Sequence, residues 1–334
     1  MGAGPPPWVA LRALAAAAET ELRWRLSPPV AKIRGQAPAH RGSTLSLLAW
    51  NVQFGAGRSL RFFYDGGEAV HVPAPEVAAA MAAIRETLAD AAVDLAVLQE
   101  VDVGSSRTGG VDEIEALVRG GGWPTAAYAA VHDVRHLPWP AGSAMGRVHM
   151  AQATLARVAL DRAKRWPLPA LRESRIGRAL NLRRADLETT LMFDGAPLSV
   201  HNVHLSAFSK GDGTLERQLA AIEAALPARS WVVAGDFNAL PPGDDAARLG
   251  LDAADYPEVR GPLTRWYDRG WGAISDPDAP KWRTWLPYGS NIPERMLDHV
   301  FVSPDLEVTS VEVLRLDPCP SDHLPIRVEI RRRP

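Results

Sequence analysis

Short apolar runs rich in valine and leucine recur along the chain from Leu45 onwards, and they alternate with longer segments of good helix formers. The length of these runs and their β-branched content are typical of strands that are buried on both faces. Six strands are predicted on this basis, over residues 45–52, 94–101, 198–205, 230–237, 299–304 and 324–330. Two helices are predicted between them, over residues 75–92 and 214–226. Strands that alternate with helices predict an α/β fold, in which helices cover the faces of a sheet.

A further helix is predicted at residues 8–25, because Ala, Leu, Glu and Arg fill this segment and Ser27, Pro28 and Pro29 follow it. Residues 1–43 are therefore interpreted as an N-terminal helical extension and linker, and residues 44–334 as one main domain. We expect the apolar positions of the extension to pack on that domain. A role at a membrane surface is the less favoured alternative, because the segment is acidic as well as basic.

Composition and charge restrict the classes of protein to consider. The chain has 334 residues, of which 46% are hydrophobic and 23% charged, close to the averages for globular proteins. The formal net charge of -2 supplies no global attraction to nucleic acid, although a local basic patch is compatible with it. Cys319 is the single cysteine, so no intrachain disulfide can form.

The N-terminus does not resemble a secretory signal, since no basic residue precedes Arg12 and both Glu19 and Glu21 interrupt the apolar stretch. No run reaches the roughly 18 apolar residues that a membrane-spanning helix requires. We therefore expect a cytoplasmic protein without stable membrane insertion, and we expect it to be a monomer.

Acidic, amide and imidazole side chains stand at or next to the ends of the apolar runs. Open α/β sheets place their functional sites at the carboxyl ends of strands. The residues in these positions are Asn51, Glu100, His204, Asp236, Asn238, Asp298, Ser321, Asp322 and His323.

A series of buried carboxylates indicates a common partner, because each one is costly unless it is paired, hydrogen-bonded or bound to a metal. A hard divalent cation is the simplest such partner. Mg²⁺ is the expected cofactor, with Mn²⁺ as the alternative, because carboxylate oxygens suit such ions. The sequence has no Cys/His cluster at zinc spacing.

Six motifs occur in a fixed order, namely LLAWNVQFG, VLQEVD, VHNVHL, AGDFNALP, LDHVF and PSDHLPIRV. Together they resemble the endonuclease/exonuclease/phosphatase family over roughly residues 45–331, and the ordered set QE, GDFN and SDHxP is very specific for it. The family includes pancreatic deoxyribonuclease, abasic-site endonucleases, neutral sphingomyelinases, inositol polyphosphate 5-phosphatases and deadenylases. The resemblance implies a four-layer α/β sandwich, in which two mostly antiparallel or mixed sheets pack face to face with helices outside, and a metal site at one end.

The resemblance also implies a role for each matching residue. Glu100 matches the principal metal-binding glutamate, Asn51 an asparagine that supports the metal site, and Asp322 a residue beside the metal. The expected catalytic residues are His323, Asp298, Asp236, Asn238 and His204. The expected substrate contacts are Asn238, His204 and Asn202.

The chemistry of phosphodiester cleavage is consistent with these roles. The substrate is anionic and resists attack, so a metal neutralises charge while a base prepares the water. A pair such as His323 with Asp298 supplies that base or stabilises the transition state, since the aspartate fixes the imidazole tautomer and raises its pKa. The sequence does not decide whether His323 or Asp236 takes the proton.

Two positions depart from the abasic-site endonucleases. Gln53 stands where some of them carry an aspartate, and His204 stands where they carry a tyrosine. The deoxyribonuclease and sphingomyelinase branches keep the histidine, so the resemblance is closer to them.

The substrate depends on loops, which the motifs do not define. Nine basic residues lie between Arg157 and Arg184, where they either grip a polyphosphate or nucleic-acid backbone or form a solvated surface. The tryptophan-rich stretch 266–285 and Trp139 either contact bases or lipid or pack on the core.

Three hypotheses follow. The preferred one is a nuclease or nucleotide phosphodiesterase, and the second is a lipid-headgroup or inositol-phosphate hydrolase. The third is a catalytically inactive binding protein on the same fold. The intact set of acidic and imidazole side chains argues against the third, because a binding protein has no reason to keep buried charges that need a metal.

Overall fold

Two sheets form the centre of the molecule in the computed structural model, which describes residues 7–207, 211–251, 256 and 261–334. The strands of these residues are β1 (Lys32–Gly35), β2 (Thr44–Asn51), β3 (Leu95–Asp102), β4 (Thr125–Leu137), β5 (Gly146–Ala156), β6 (Arg162–Pro167), β7 (Ala185–Phe193), β8 (Ala196–His204), β9 (Trp231–Asp236), β10 (Asp298–Val302), β11 (Leu306–Val313) and β12 (Ile326–Arg332). The helices are α1 (Pro7–Leu26), α2 (Ala74–Asp90), α3 (Glu113–Gly120), α4 (Arg175–Leu180), α5 (Thr214–Ala225), α6 (Ala246–Leu249) and α7 (Thr264–Asp268).

Both sheets are mixed. The first has seven strands in the order β1-β4-β5-β3-β2-β12-β11, and the second has five in the order β10-β9-β8-β7-β6. Neighbouring strands are antiparallel except for β2 with β3 and β8 with β9. The two sheets pack face to face through β2, β3 and β5 on one side and β8 and β9 on the other. This architecture confirms the predicted α/β sandwich with two central sheets.

Helices cover the outer faces of both sheets. In α2 the buried residues recur every three or four positions, so one stripe of the helix faces the first sheet; they are Val77, Ala80, Met81, Ile84 and Leu88. Helix α5 packs Leu215, Leu219 and Ile222 into a second cluster beside Phe237 and Phe301. The sheets are thus enclosed by apolar helix faces on both sides.

The six predicted strands correspond to β2, β3, β8, β9, β10 and β12. The other six were not predicted, and β4 shows why. Its sequence TAAYAAVHDVRHL is rich in alanine, which favours helices, yet the segment pairs with β1 and β5 across the first sheet. Strand β1 itself lies inside the stretch that reads as a linker.

The N-terminal helix α1 lies beside β4. Arg23 contacts the carboxylate of Asp133, and Glu19 lies 3.1 Å from Arg135. Within the described part of the chain, no helix combines the length and apolar character needed to cross a bilayer.

Candidate active site

Three strands of the second sheet place a row of polar side chains at one end of the sandwich. Asp298 of β10 lies opposite Asp236 of β9, and Asp236 lies opposite His204 of β8. Residues that are directly opposite on neighbouring strands share a face of the sheet. All three side chains are buried. The strand register alone therefore brings together two carboxylates and an imidazole that are far apart in sequence.

His323 completes this row from the loop before β12. Its Nδ1 lies 2.7 Å from Oδ2 of Asp298, and its Nε2 lies 3.8 Å from Oδ2 of Asp236. The backbone of His323 is held in place, because its amide donates to Ser321 Oγ and its carbonyl accepts from Trp50 Nε1. With Nδ1 donating to Asp298, Nε2 is presented to Asp236 and to any group bound between them.

Burial and neighbouring carboxylates shift the pKa values of His323 and Asp236. Burial alone lowers the pKa of His323, but the carboxylates of Asp298, Asp236 and Asp322 outweigh it and hold this pKa well above its usual value. Burial raises the pKa of Asp236 to about 6, with Asp298 acting in the same direction. A carboxylate with a pKa near neutral pH, beside an imidazole that favours its protonated form, is suited to proton transfer.

The first sheet contributes Asn51 and Glu100 to the same end. The Asn51 amide donates to Oδ2 of Asp236 over 3.0 Å and to Oε1 of Glu100 over 3.3 Å. Its own oxygen accepts from the Gln53 amide over 3.0 Å. Asn51 therefore joins the acids of the two sheets, and Glu100 remains accessible because its side chain is 23% exposed.

Glu100 and Asn238 both have left-handed backbone conformations. Their φ angles are 56° and 48°, a region that residues other than glycine adopt rarely. The pairing of β3 with β5 shifts between Leu98 and Val101, so Glu100 sits in a bulge that turns its side chain out of the regular ladder. The backbone N–H of Asn238 donates to Oδ1 of Asp236 over 2.9 Å. Among the described residues, seven residues other than glycine have a positive φ, and two of them are expected site residues.

His204 is held neutral in this cluster. Its Nε2 lies 3.4 Å from Oδ2 of Asp236 and 3.8 Å from Oε1 of Glu100, and its buried Nδ1 has no hydrogen-bond partner among the described residues. Burial lowers the pKa of His204 well below its usual value, and the positive charges of Arg184 and His323 lower it further. His204 is therefore placed to hydrogen-bond to a bound phosphate rather than to carry charge.

Asp322 faces a cleft beside this row. Burial raises its pKa to about 7, and the carboxylates of Glu100, Asp65 and Asp236 add to the effect. The cleft is lined by Gln53, Arg58, Leu60, Phe62, Asp65, Leu286, Tyr288 and Asp322. Gln53, which departs from the aspartate of the abasic-site endonucleases, accepts a hydrogen bond from the Asp322 amide over 3.3 Å.

The donor atoms at this end fit a hard divalent cation, since they are carboxylate and amide oxygens with imidazole nitrogen and no sulfur. Asp236, Asp298 and His323 offer ligand atoms within 4.8 Å of one another. The carboxylates of Glu100 and Asp236, which both accept a hydrogen bond from the side-chain amide of Asn51, form a second set that does not involve the hydrogen bond between Asp298 and His323.

Arg184 is a site residue that the sequence did not single out. Its Nη1 is buried and has no hydrogen-bond partner among the described residues. Burial lowers the pKa of Arg184, while the charges of Glu100 and Asp236 act in the opposite direction, so the guanidinium lies within electrostatic range of the acidic row. An unpaired N–H beside the row is a ready donor for an anionic substrate. Its position immediately before β7 could have indicated a place in the site, but eight other basic residues occur in the same stretch, and the sequence does not distinguish Arg184 from them.

The expected substrate contact at Asn202 is corrected by its position. Asn202 is fully buried between the two sheets, where its Nδ2 donates to the carbonyls of Leu98 and Ala153 over 2.9 and 3.0 Å. Its Oδ1 accepts from Gln99 Nε2 over 2.9 Å. Every polar atom of this carboxamide already has a protein partner, so Asn202 connects the sheets and does not face the site.

Removal of this carboxamide is expected to destabilise the protein. In the Asn202→Ala variant the free energy of unfolding should fall by about 3 kcal/mol, because two carbonyls and a glutamine amide lose buried partners. Urea denaturation of this variant and of Asn291→Ala, an exposed control, measures the difference. Native stability combined with lost substrate affinity would restore Asn202 to the site.

The model of the endonuclease/exonuclease/phosphatase family matches residues 48–323, whereas no curated protein matches. A solved structure of an endonuclease/exonuclease/phosphatase from Beutenbergia cavernae is 22% identical, with a TM-score of 0.61, and the match covers 86% of this chain and 72% of that one. At this identity the structural likeness shows the fold alone.

Two further solved structures have stated activities or names. Humanized TDP2 of D. rerio is 15% identical with a TM-score of 0.53, over 87% of this chain and 100% of that one. A mannosyl-6-phosphatase of Bacteroides thetaiotaomicron is 15% identical with a TM-score of 0.54, over 86% of this chain and 99% of that one. Proteins that share this fold therefore carry different names.

Proposed function

The chain belongs to the endonuclease/exonuclease/phosphatase family, and we propose that it hydrolyses a phosphodiester with a divalent cation, acting as a nuclease or nucleotide phosphodiesterase. One observation carries this proposal: the Asp298–His323 pair points its free imidazole nitrogen at Asp236, beside Glu100 and Asn51. Mg²⁺ is the proposed cation. Held by the carboxylates of Glu100 and Asp236, which Asn51 joins through hydrogen bonds, it would neutralise the phosphate and position its oxygens.

The protein groups divide the remaining work. Nε2 of His323 and Oδ2 of Asp236 lie 3.8 Å apart, so a group held between them is within reach of both. Either group can take the proton of an attacking water, and Asp298 stabilises the imidazolium if His323 does. Asn238, His204 and Arg184 surround the same space, where they can bind the phosphate oxygens.

The basic stretch supports a nucleic-acid substrate less than its composition indicated. Arg165 donates to the carbonyls of Ala130 and Arg183, and Arg183 pairs with Glu21. Most of the tryptophans of residues 266–285 are also engaged, as Trp266 packs on Phe301 inside the core. A lipid-headgroup diester remains the second candidate, because leucines are exposed on α1 near this end of the molecule.

The proposal is tested with two synthetic esters and with supercoiled plasmid, each with Mg²⁺ and with EDTA. Cleavage of bis(p-nitrophenyl) phosphate that disappears with EDTA and in the Asp236→Asn variant supports a metal-dependent diesterase. Plasmid nicking with the same dependence supports the nuclease. Cleavage of p-nitrophenyl phosphate alone would overturn the diesterase in favour of a phosphomonoesterase.

Arg184 gives a prediction of its own. We expect the Arg184→Gln variant to lose about 100-fold in kcat/KM on the diester, because one charged donor to the phosphate is removed. The Mg²⁺ concentration for half-maximal activity should stay unchanged, and Arg184→Lys should restore part of the loss. Arg178→Gln is the control, since Arg178 is exposed on α4. Equal kinetics for both glutamine variants would remove Arg184 from the site.

A further inference from the structure

Helix α1 has two apolar faces, and one of them packs on the protein. Val9, Ala16, Ala17 and Thr20 are buried against the body of the molecule. Trp24, one turn further on, has the guanidinium groups of Arg165 and Arg183 at 5.2 and 4.5 Å from its ring. This face accounts for the expectation that the extension packs on the main domain.

The opposite face of α1 is apolar and uncovered. Leu11, Leu14, Leu22 and Leu26 are 67%, 49%, 58% and 77% exposed, and Ala15 and Ala18 between them are exposed as well. At 100° per residue these six positions fall within one stripe along the helix. A solvated helix face in a stable monomer is normally polar, so a stripe of leucines and alanines, interrupted only by Arg25, indicates an apolar partner.

The acidic residues of α1 do not oppose a negatively charged partner. Glu19 lies 3.1 Å from Arg135, and Glu21 lies 2.7 Å from Arg183 and 4.0 Å from Arg25. Both carboxylates are therefore neutralised within the protein. This removes the argument from composition that the segment is too acidic for a membrane surface.

The N-terminal half of α1 projects towards the end of the sandwich that carries the candidate site. Strand β4 points to that end, because β4 and β3 are both antiparallel to β5 and β3 carries Glu100. Arg23 contacts Asp133, and four residues earlier Glu19 contacts Arg135, further along β4. Helix α1 therefore runs antiparallel to β4, which places Leu11 and Leu14 at the site end.

Helix α4 and the residues before it add net positive charge at the same end. The helix lies in the connection from β6 to β7. Strand β7 begins at the site end, because Asp186 near its start pairs with Val203, the residue before His204. Helix α4 also packs against α1. Arg172, Arg175 and Arg178 in this connection are exposed, and within the described residues none of their guanidinium groups forms a salt bridge, although Glu173 lies among them.

We propose that α1 and α4 form a peripheral docking face for anionic phospholipid bilayers, with the leucine stripe in the interface and the arginines on lipid phosphates. An amphipathic helix that exposes leucines beside arginines binds such surfaces without crossing them, through burial of the leucines and electrostatic attraction of the arginines to the lipids. A nucleic acid would bind the arginines through its phosphates, but it would leave the leucines exposed to solvent. A bilayer is therefore the partner that explains both features, and it would face the end that carries the candidate site.

Co-sedimentation with vesicles tests the proposal on the full chain. Binding is expected to vesicles of mixed phosphatidylcholine and phosphatidylserine, to be much weaker to phosphatidylcholine alone, and to fall with added salt. The Arg175→Glu/Arg178→Glu variant should lose at least about 25-fold in affinity, as each arginine near such a surface contributes about fivefold. The Leu14→Glu/Leu22→Glu variant should lose binding to a similar extent, while Met192→Glu, exposed on β7, should bind normally.

These substitutions lie on exposed side chains, and circular dichroism verifies the fold of each variant. Absence of binding to the mixed vesicles, or equal binding by the leucine variant, overturns the proposal. Binding of plasmid that depends on Arg175 and Arg178 but not on the leucines would identify a nucleic-acid surface instead. A dimer of the original chain that becomes monomeric in the leucine variant would identify a second copy as the occupant.

Discussion

The His323→Ala variant is expected to lose about 10³- to 10⁴-fold in kcat on any diester that the protein cleaves. The imidazole is the group of the site that both reaches Asp236 and has a carboxylate partner to stabilise its charge. KM should change little, because the phosphate is contacted mainly by other residues. Steady-state kinetics of the purified variant measure both constants.

The Asp298→Asn variant is the matched partner of this experiment. It should lose activity to a lesser extent, since the imidazole remains but neither its tautomer nor its charge is stabilised. The double variant should lose no more than His323→Ala alone, because the two residues act as one unit. Full activity of His323→Ala in correctly folded protein would remove His323 from the mechanism and leave Asp236 as the base.

The Glu100→Gln variant is expected to bind Mg²⁺ at least about 100-fold more weakly, with a corresponding shift of the metal titration of activity. The substitution keeps the size of the side chain but removes the charge that a hard cation requires. Calorimetric titration of the protein with Mg²⁺ measures binding without any substrate. Glu86→Gln, on the exposed face of α2, is the control.

The outcome of this titration separates two arrangements of the site. Identical Mg²⁺ affinity in Glu100→Gln and the original chain would contradict the ligand role of Glu100. If Asp298→Asn then abolished binding, the metal would belong to the set of Asp236, Asp298 and His323, whose ligand atoms lie within 4.8 Å of one another.

The family and the sandwich were predictable from the sequence because the motifs lie at strand ends. A polar residue that ends an apolar run, such as Asp236, has its depth and direction fixed by the strand, so its position follows from the pattern. The match to residues 48–323 and the two mixed sheets confirm these predictions. The roles of the individual residues stay predictions until the variants are measured.

Alternation along a strand was not enough to place Asn202. Asn202 and His204 point to the same side of β8, and both were expected to contact the substrate. In a sandwich that side faces the other sheet for most of its length and opens to solvent at its end. Asn202 therefore joins the two sheets through buried hydrogen bonds, whereas His204, two residues further along β8, lies beside the acids.

Arg184 and the face of α1 could not be predicted for a different reason. Their properties depend on which of many similar residues lack a partner. Only the contacts of the folded chain show which residues these are. Arg183 and Arg184 are neighbours in sequence, yet one pairs with Glu21 while the other has a buried N–H without a partner in the described part of the chain.

The left-handed backbone of Glu100 and Asn238 has an evolutionary consequence. Such a conformation costs a glutamate roughly 1 to 2 kcal/mol, and a glycine avoids this cost. The chain gives up that stability only as long as the carboxylate and the amide are needed. A descendant released from selection for hydrolysis should drift to glycine at these two positions, which would make the loss of activity readable from its sequence before any assay.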